Sequence, residues 1–115
     1  MEIVRSRIPL SALREQYCRV FQSMTKAVVD TRRRCMALDA ELHADEEAAL
    51  LADGSEQEHL WGINLYPAKA GEDFLEFTAL INIRPSQGNR SMQIESEDIR
   101  KQVVAVVREL VDGNA

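Results

Sequence analysis

From Leu13 onward, apolar residues recur at Tyr17, Val20, Phe21 and Met24, while Arg14, Glu15, Arg19 and Gln22 fall off that line. This spacing traces one stripe of a helix. Ser11 offers an N-cap and Pro9 bars a helix before it, so the pattern predicts a helix over about 12–23. Ile3 to Ile8 reads as extended. Lys26–Asp30 and Arg34–Leu38 are short apolar or β-branched runs separated by Thr31, Arg32 and Arg33. That is a hairpin pattern, but no Asn-Gly or Asp-Gly marks the turn and the register stays open. One helix across 12–38 is the rival reading, weakened by Val28, Val29 and Thr31.

The second half repeats the hairpin theme. Asp45 to Gly54 carries acids in its first turn and a glycine at its end, the two signals of a short helix. Leu60 to Tyr66 alternates, with Trp61, Ile63 and Leu65 on one side and Leu60, Gly62, Asn64 and Tyr66 on the other. Phe74 to Arg84 alternates over a longer run, with Leu75, Phe77, Ala79, Ile81 and Ile83 sharing a side. Ser96 caps a last helix whose stripe is Ile99, Val103, Val106 and Leu110, and Gly113 closes it. The order α-β-β-α-β-β-α predicts an α+β fold: a four-stranded antiparallel sheet of two hairpins, with three helices packed on one face.

A chain of 115 residues, 45% apolar and 29% charged, is long enough for one core. A single domain over 1–115 of this size buries about 65% of its unfolded surface. No apolar run approaches the ~18 residues that would cross a bilayer, and the first residues carry no apolar stretch of signal-peptide length. The expectation is a cytoplasmic protein with no membrane association. Cys18 and Cys35 lie among apolar residues and match no zinc spacing, which reads as buried thiols.

The net charge of −5 argues against bulk nucleic-acid binding, but it hides an asymmetry. Residues 1–38 carry +5, residues 39–76 carry −10 and residues 77–115 are balanced. Such a split marks either an interaction surface or two solvated faces that meet in the fold. The basic turn Arg32–Arg34 lacks the aromatic interleaving of a nucleic-acid surface.

Two polar clusters could carry chemistry. Around the start of the 45–54 helix stand Glu41, His43, Asp45, Glu46 and Glu47. Carboxylates and an imidazole at this spacing can ligate a divalent metal through Glu41, His43, Asp45 and Glu46, or pair an acid with a base. Acids favoured by the helix dipole explain much of the same pattern. In the loop 84–91, Arg84 and Arg90 flank Gln87, Gly88 and Asn89. Guanidinium forks and amide donors suit a carboxylate or phosphate, so His43, Arg84, Gln87, Asn89 and Arg90 form a candidate site for a small polar or anionic ligand. The competing account is a turn whose arginines pair with the acidic 41–47 segment. Asn64 and Asn82, unusual inside strands, would make one sheet face polar.

The stretches Lys26–Asp30, Glu41–Glu47, Leu60–Pro67 and Ile81–Ser91, read together, resemble a family of small prokaryotic proteins of unknown function. The likeness runs over about residues 11–112. It implies a stand-alone bacterial or archaeal domain with both polar clusters in the family's motif set, and it implies no activity. Two functional classes follow from the residues. One is a binding or interaction module, for which a homodimer fits because a one-sided sheet leaves a face or an edge to cover. The other is a small metal-assisted hydrolase acting on a phosphate-containing substrate, with His43, Asp45 and Glu46 as base or ligands and the arginines on the phosphate. No residue is assigned to catalysis and no cofactor is implied.

Overall fold

The chain begins in the sheet. A computed structural model describes residues 1–113, in which β1 (Glu2–Val4) lies antiparallel to β4 (Cys35–Leu38), with Ile3 opposite Ala37. β4 forms a hairpin with β3 (Thr25–Asp30), and β3 pairs on its other side with β5 (Leu60–Leu65). β6 (Leu75–Glu76) closes the row, giving five antiparallel strands in the order β1-β4-β3-β5-β6. A second, parallel pair joins β2 (Ile8–Pro9) to β7 (Val111–Asp112), which fastens both ends of the described chain together.

Three helices complete the fold: α1 (Leu10–Gln16), α2 (His43–Ala52) and α3 (Glu97–Leu110). The alternation of each strand divides its side chains between two cores. Ala27, Val29, Met36, Leu38, Trp61 and Ile63 pack against Leu13 of α1 and the Val103, Val106 and Leu110 stripe of α3. Val28, Cys35, Ala37 and Leu60 pack against Leu50 of α2. The sheet is thus the middle of three layers.

The α+β class and both predicted hairpin strands of the first half are present. Two of the predicted helix ends are present as well: Ser96 Oγ accepts the Ile99 N–H at 3.2 Å, and Gly54 follows the C-cap Asp53 at φ 110°. Two others are not: α1 starts at Leu10, before the expected cap Ser11, and α3 ends at Leu110, before the expected Gly113, because Val111–Asp112 pairs as β7. The β3–β4 register is set by Asp30, whose Oδ1 accepts from the backbone N–H groups of Arg32 (2.9 Å) and Arg33 (2.8 Å), while Arg34 takes a left-handed φ of 56°. This side-chain-held turn does the work of the missing Asn-Gly.

Four expectations need correction. The sheet has five strands instead of four, because the extended N-terminus adds β1 outside β4. The helices cover both faces, since Val28 and Ala37 give the sheet a second apolar side for α2. The first helix stops at Gln16: Asp39 Oδ1 accepts the N–H groups of Arg19 and Val20, both at 3.1 Å, and so holds residues 18–22 in a turn. The long strand over 74–84 pairs as β6 for only two residues, then bends through a 3-10 turn at Leu80–Asn82. Ile81 thereby joins the α2 core and leaves Leu80 70% exposed.

Candidate functional site

The acidic segment converges less than its spacing allows. His43 opens α2 with its ring turned onto the sheet, where Nε2 lies 2.8 Å from the Ile63 carbonyl oxygen. A carbonyl only accepts, so Nε2 carries the proton and donates. Burial lowers the proton affinity of this ring below the ordinary histidine value, partly offset by the Ile63 bond and by the Asn64 side chain, so it stays neutral at pH 7. Glu46 lies one turn further on and is fully buried. Its Oε2 accepts the Ala40 N–H at 3.0 Å and its Oε1 has no partner. Burial raises this carboxyl to about 9, so it is protonated at neutral pH. Glu41 and Asp45 face solvent. Glu41, His43, Asp45 and Glu46 therefore point in different directions, and among the described residues no three His, Cys, Asp or Glu side chains gather to hold a metal ion.

The 84–91 loop is built from inward-facing donors. Arg84, 8% exposed, donates from Nη1 to the Gln57 carbonyl (2.9 Å) and from Nη2 to Glu47 Oε2 (3.1 Å). Its guanidinium also stacks 5.0 Å from the centre of the Trp61 ring. Gln87 Nε2 donates to the Glu58 carbonyl at 3.2 Å. Asn89 is buried, and its Nδ2 serves the carbonyls of Asn82, Ser91 and Gln93 while its Oδ1 accepts the Glu95 N–H. Glu95 in turn accepts the N–H groups of Arg90 and Ser91, both at 2.8 Å. Arg90 is exposed. The structure joins the two clusters through the Arg84–Glu47 pair and does not bring His43, Arg84, Gln87, Asn89 and Arg90 to one surface.

Asn82 explains the broken strand. Its Oδ1 accepts the Gly62 N–H at 2.8 Å, and its Nδ2 donates to the Gly62 carbonyl at 2.9 Å and to the Met92 carbonyl at 3.0 Å. One side-chain amide therefore pairs the edge of β5 where a backbone would otherwise run. Gly62 is required there, since a Cβ would lie 2.4 Å from the Ala79 Cβ. Sequence reasoning noticed both asparagines without this role.

The same face of the sheet is polar around Asn64, as the sequence suggests, and Lys26 joins it there. Lys26 stands opposite Asn64 across β3 and β5, its Nζ 5.1 Å from the centre of the Phe21 ring. Asn64 Nδ2 donates to Glu76 Oε1 at 2.7 Å, and Tyr66 Oη shares that oxygen at 3.3 Å. Asn64 Oδ1 is buried without a partner. The advance signals were Asn64 within its strand and a lysine, Lys26, next to the apolar run Ala27–Val29.

The charge asymmetry is resolved by contact. Arg5 and Arg33 both bind Asp53 at 2.7 Å, Arg32 binds Glu56 at 2.7 Å and Arg34 binds Glu109 at 2.6 Å. The arginines hold the Asp53 carboxyl well below the usual range. The basic turn thus rests against acids of the middle third and of α3.

A groove of about 790 Å³ runs between α3 and the segment 66–77. Its apolar residues include Leu75, Phe77 and Val104; Arg100 and Arg108 stand on the helix side, and Glu72, Asp73 and Glu76, together with Lys69, on the other, which leaves that wall acidic on balance. It continues into a shallower depression of about 510 Å³ along Lys101, Val104, Ala105 and Arg108. Arg100 is fixed in place, stacked 4.6 Å from the centre of the Phe77 ring and donating to the Ile94 carbonyl. The sequence marks none of these lining residues as a binding residue: Leu75 and Phe77 read only as strand alternation, and half-buried residues on a helix flank look ordinary.

A five-stranded antiparallel sheet between two helical layers, with polar side chains stitching its irregular edge, defines a small α+β domain in which His43, Glu46, Arg84 and Asn89 turn inward while Glu41, Asp45, Gln87 and Arg90 are exposed. This chain belongs to the family described as a protein of unknown function, DUF5674, whose model matches residues 2–110. No curated protein and no solved structure is matched. Among the described residues no helix is long and apolar enough to cross a membrane.

Proposed function

We propose that the protein is an interaction module and that its contact surface is the groove between α3 and the 66–77 segment. The observation that carries this reading is the groove itself, about 790 Å³ with apolar residues between a basic wall and one that is acidic on balance. A concave, partly apolar surface with a few fixed polar groups is the usual form of a binding site. The loop 84–91, by contrast, uses Arg84, Gln87 and Asn89 within the chain. A hydrolase built on His43 would need its ring free, and Nε2 is bonded to Ile63.

The test uses a phage-displayed library of linear nine-residue peptides panned on the whole protein. The best binder is then synthesised and titrated against wild type and Val104→Glu. The reading expects binding that Val104→Glu weakens at least tenfold, with NMR shift changes at Leu75, Phe77 and Val104. Binding that ignores this substitution, or a library that yields no binder, overturns it.

A further inference from the structure

We infer that the groove takes an extended segment of a partner protein, added as a sixth strand on the free edge of β6; this inference rests on the groove being the contact surface. β6 is the last strand of its sheet. Tyr66 N–H donates to the Phe74 carbonyl at 2.8 Å and Asn64 pairs with Glu76, so by antiparallel alternation Leu75 turns its N–H and C=O away from β5. Leu75 is also one of the residues that line the groove.

The chain starts the missing strand itself and then abandons it. Ile94 N–H reaches the Phe77 carbonyl at 3.1 Å and the Met92 carbonyl takes the Ala79 N–H at 3.1 Å, with Thr78 bridging Gln93 antiparallel. Two residues later Ser96 caps α3 and the line ends, so the outer side of Leu75 has no strand beside it. An incoming segment would continue that line between β6 and α3. Unpaired strand edges are the usual template for this mode of recognition, in which backbone bonds give affinity and alternate side chains give specificity.

Charge complementarity states the chemistry of the segment. A residue placed opposite Leu75 shares its face of the sheet and meets Val104 and Arg108 of α3. Arg108 makes no ion pair among the described residues. Positions facing α3 therefore suit apolar and acidic side chains. The intervening position lies beside Glu76 on the opposite face and suits a basic one. The partner segment alternates, with valine-like and acidic residues on one side and lysine or arginine on the other.

The same panned peptide decides between strand addition and any other docking in the groove. Two versions are made, each N-methylated at one alternate set of amides. Strand addition expects one version to bind at least tenfold more weakly and the other to bind as the parent does, because only one set of N–H groups faces β6. It also expects Arg108→Glu to weaken the parent at least fivefold and the selected peptides to share the alternating charge pattern. Two methylated versions that bind alike, while Val104→Glu still abolishes binding, overturn the sixth strand and leave the groove reading standing. Binding that ignores Val104→Glu and Arg108→Glu overturns both. Selected peptides with helical spacing of their apolar residues overturn the strand in favour of a docked helix.

Discussion

Glu46 should make the protein progressively less stable as pH rises through the neutral range. Its carboxyl is fully buried, has one oxygen without a partner and is raised from an ordinary 4.5 to about 9. Lys26 and the amino terminus favour the charged form and Asp39 disfavours it, but burial dominates. Between the two values the folded protein holds a proton that the unfolded chain has lost. Stability is therefore complete below pH 4.5 and falls as pH rises, by about 1.4 kcal/mol per unit, until the folded carboxyl also ionises. From pH 5 to pH 8 the loss is about 4 kcal/mol, a large share of the ~5–15 kcal/mol that holds a domain together. Glu46→Gln removes the titration and keeps the shape, the carbonyl oxygen still accepting from Ala40. It adds N–H donors with no partner, which costs about 1–3 kcal/mol. Urea unfolding of both proteins at pH 5, 6, 7 and 8 separates these effects. Wild type should be the more stable at pH 5 and the less stable at pH 8. His43, whose lowered proton affinity costs stability below its ordinary 6.5, titrates in both proteins and cancels in the difference. A difference that stays constant from pH 5 to pH 8 would refute the buried, protonated carboxyl.

Gly62→Ala puts a Cβ 2.4 Å from that of Ala79 and 3.2 Å from His43, and should cost about 2 kcal/mol in urea unfolding. Asn82→Ala strips the Gly62 N–H and carbonyl of their partner and leaves the Met92 carbonyl with the Ala79 N–H alone, for a loss of about 3 kcal/mol, with faster amide exchange at Gly62. Arg84→Ala leaves Glu47 without its buried partner and should cost about 3 kcal/mol, while Glu47→Gln costs less and the double variant less than the sum. Trp61, the only tryptophan, reports on the Arg84 variants through its fluorescence because the guanidinium stacks on its ring.

What the sequence made legible was set by local periodicity. The alternation of Trp61, Ile63 and Leu65 against Leu60 assigned each residue to the correct face of the sheet, and the α3 stripe identified Val103, Val106 and Leu110 as its buried side, although the second core was not foreseen. Two of the failures share a cause: a distant side chain overrode a local pattern. The 13–24 stripe is helical by spacing, yet Asp39 holds residues 18–22 in a turn and leaves Val20 45% exposed. Phe74 to Arg84 alternates as a strand should, yet Asn82 takes the place of the backbone it would have supplied. The polar clusters were visible for the same reason they were misleading. Arginines, amides and carboxylates in close sequence satisfy a ligand or one another equally well, and only the direction of Arg84 toward Glu47 separates the two.

The polar residues of the 79–95 segment solve a problem that the groove creates. If Phe74 to Arg84 had continued as a regular strand, β6 would present a long open edge, which is an aggregation hazard. Instead the chain folds back, Asn82 seals the β5 edge at Gly62, and Met92 to Ile94 cover the edge from Phe77 to Ala79. Asn89 holds this return in place through Asn82, Ser91, Gln93 and Glu95. At this end of the sheet, among the described residues, the edge left open is the short stretch around Leu75, flanked by α3 and by charged walls. A short edge between a helix and charged side chains is guarded against indiscriminate pairing and remains open to a segment of matching charge. On this account the motif-like residues of the 81–91 stretch shape the site from a distance, and the contacts with a partner fall to residues as unremarkable in sequence as Leu75, Val104 and Arg108.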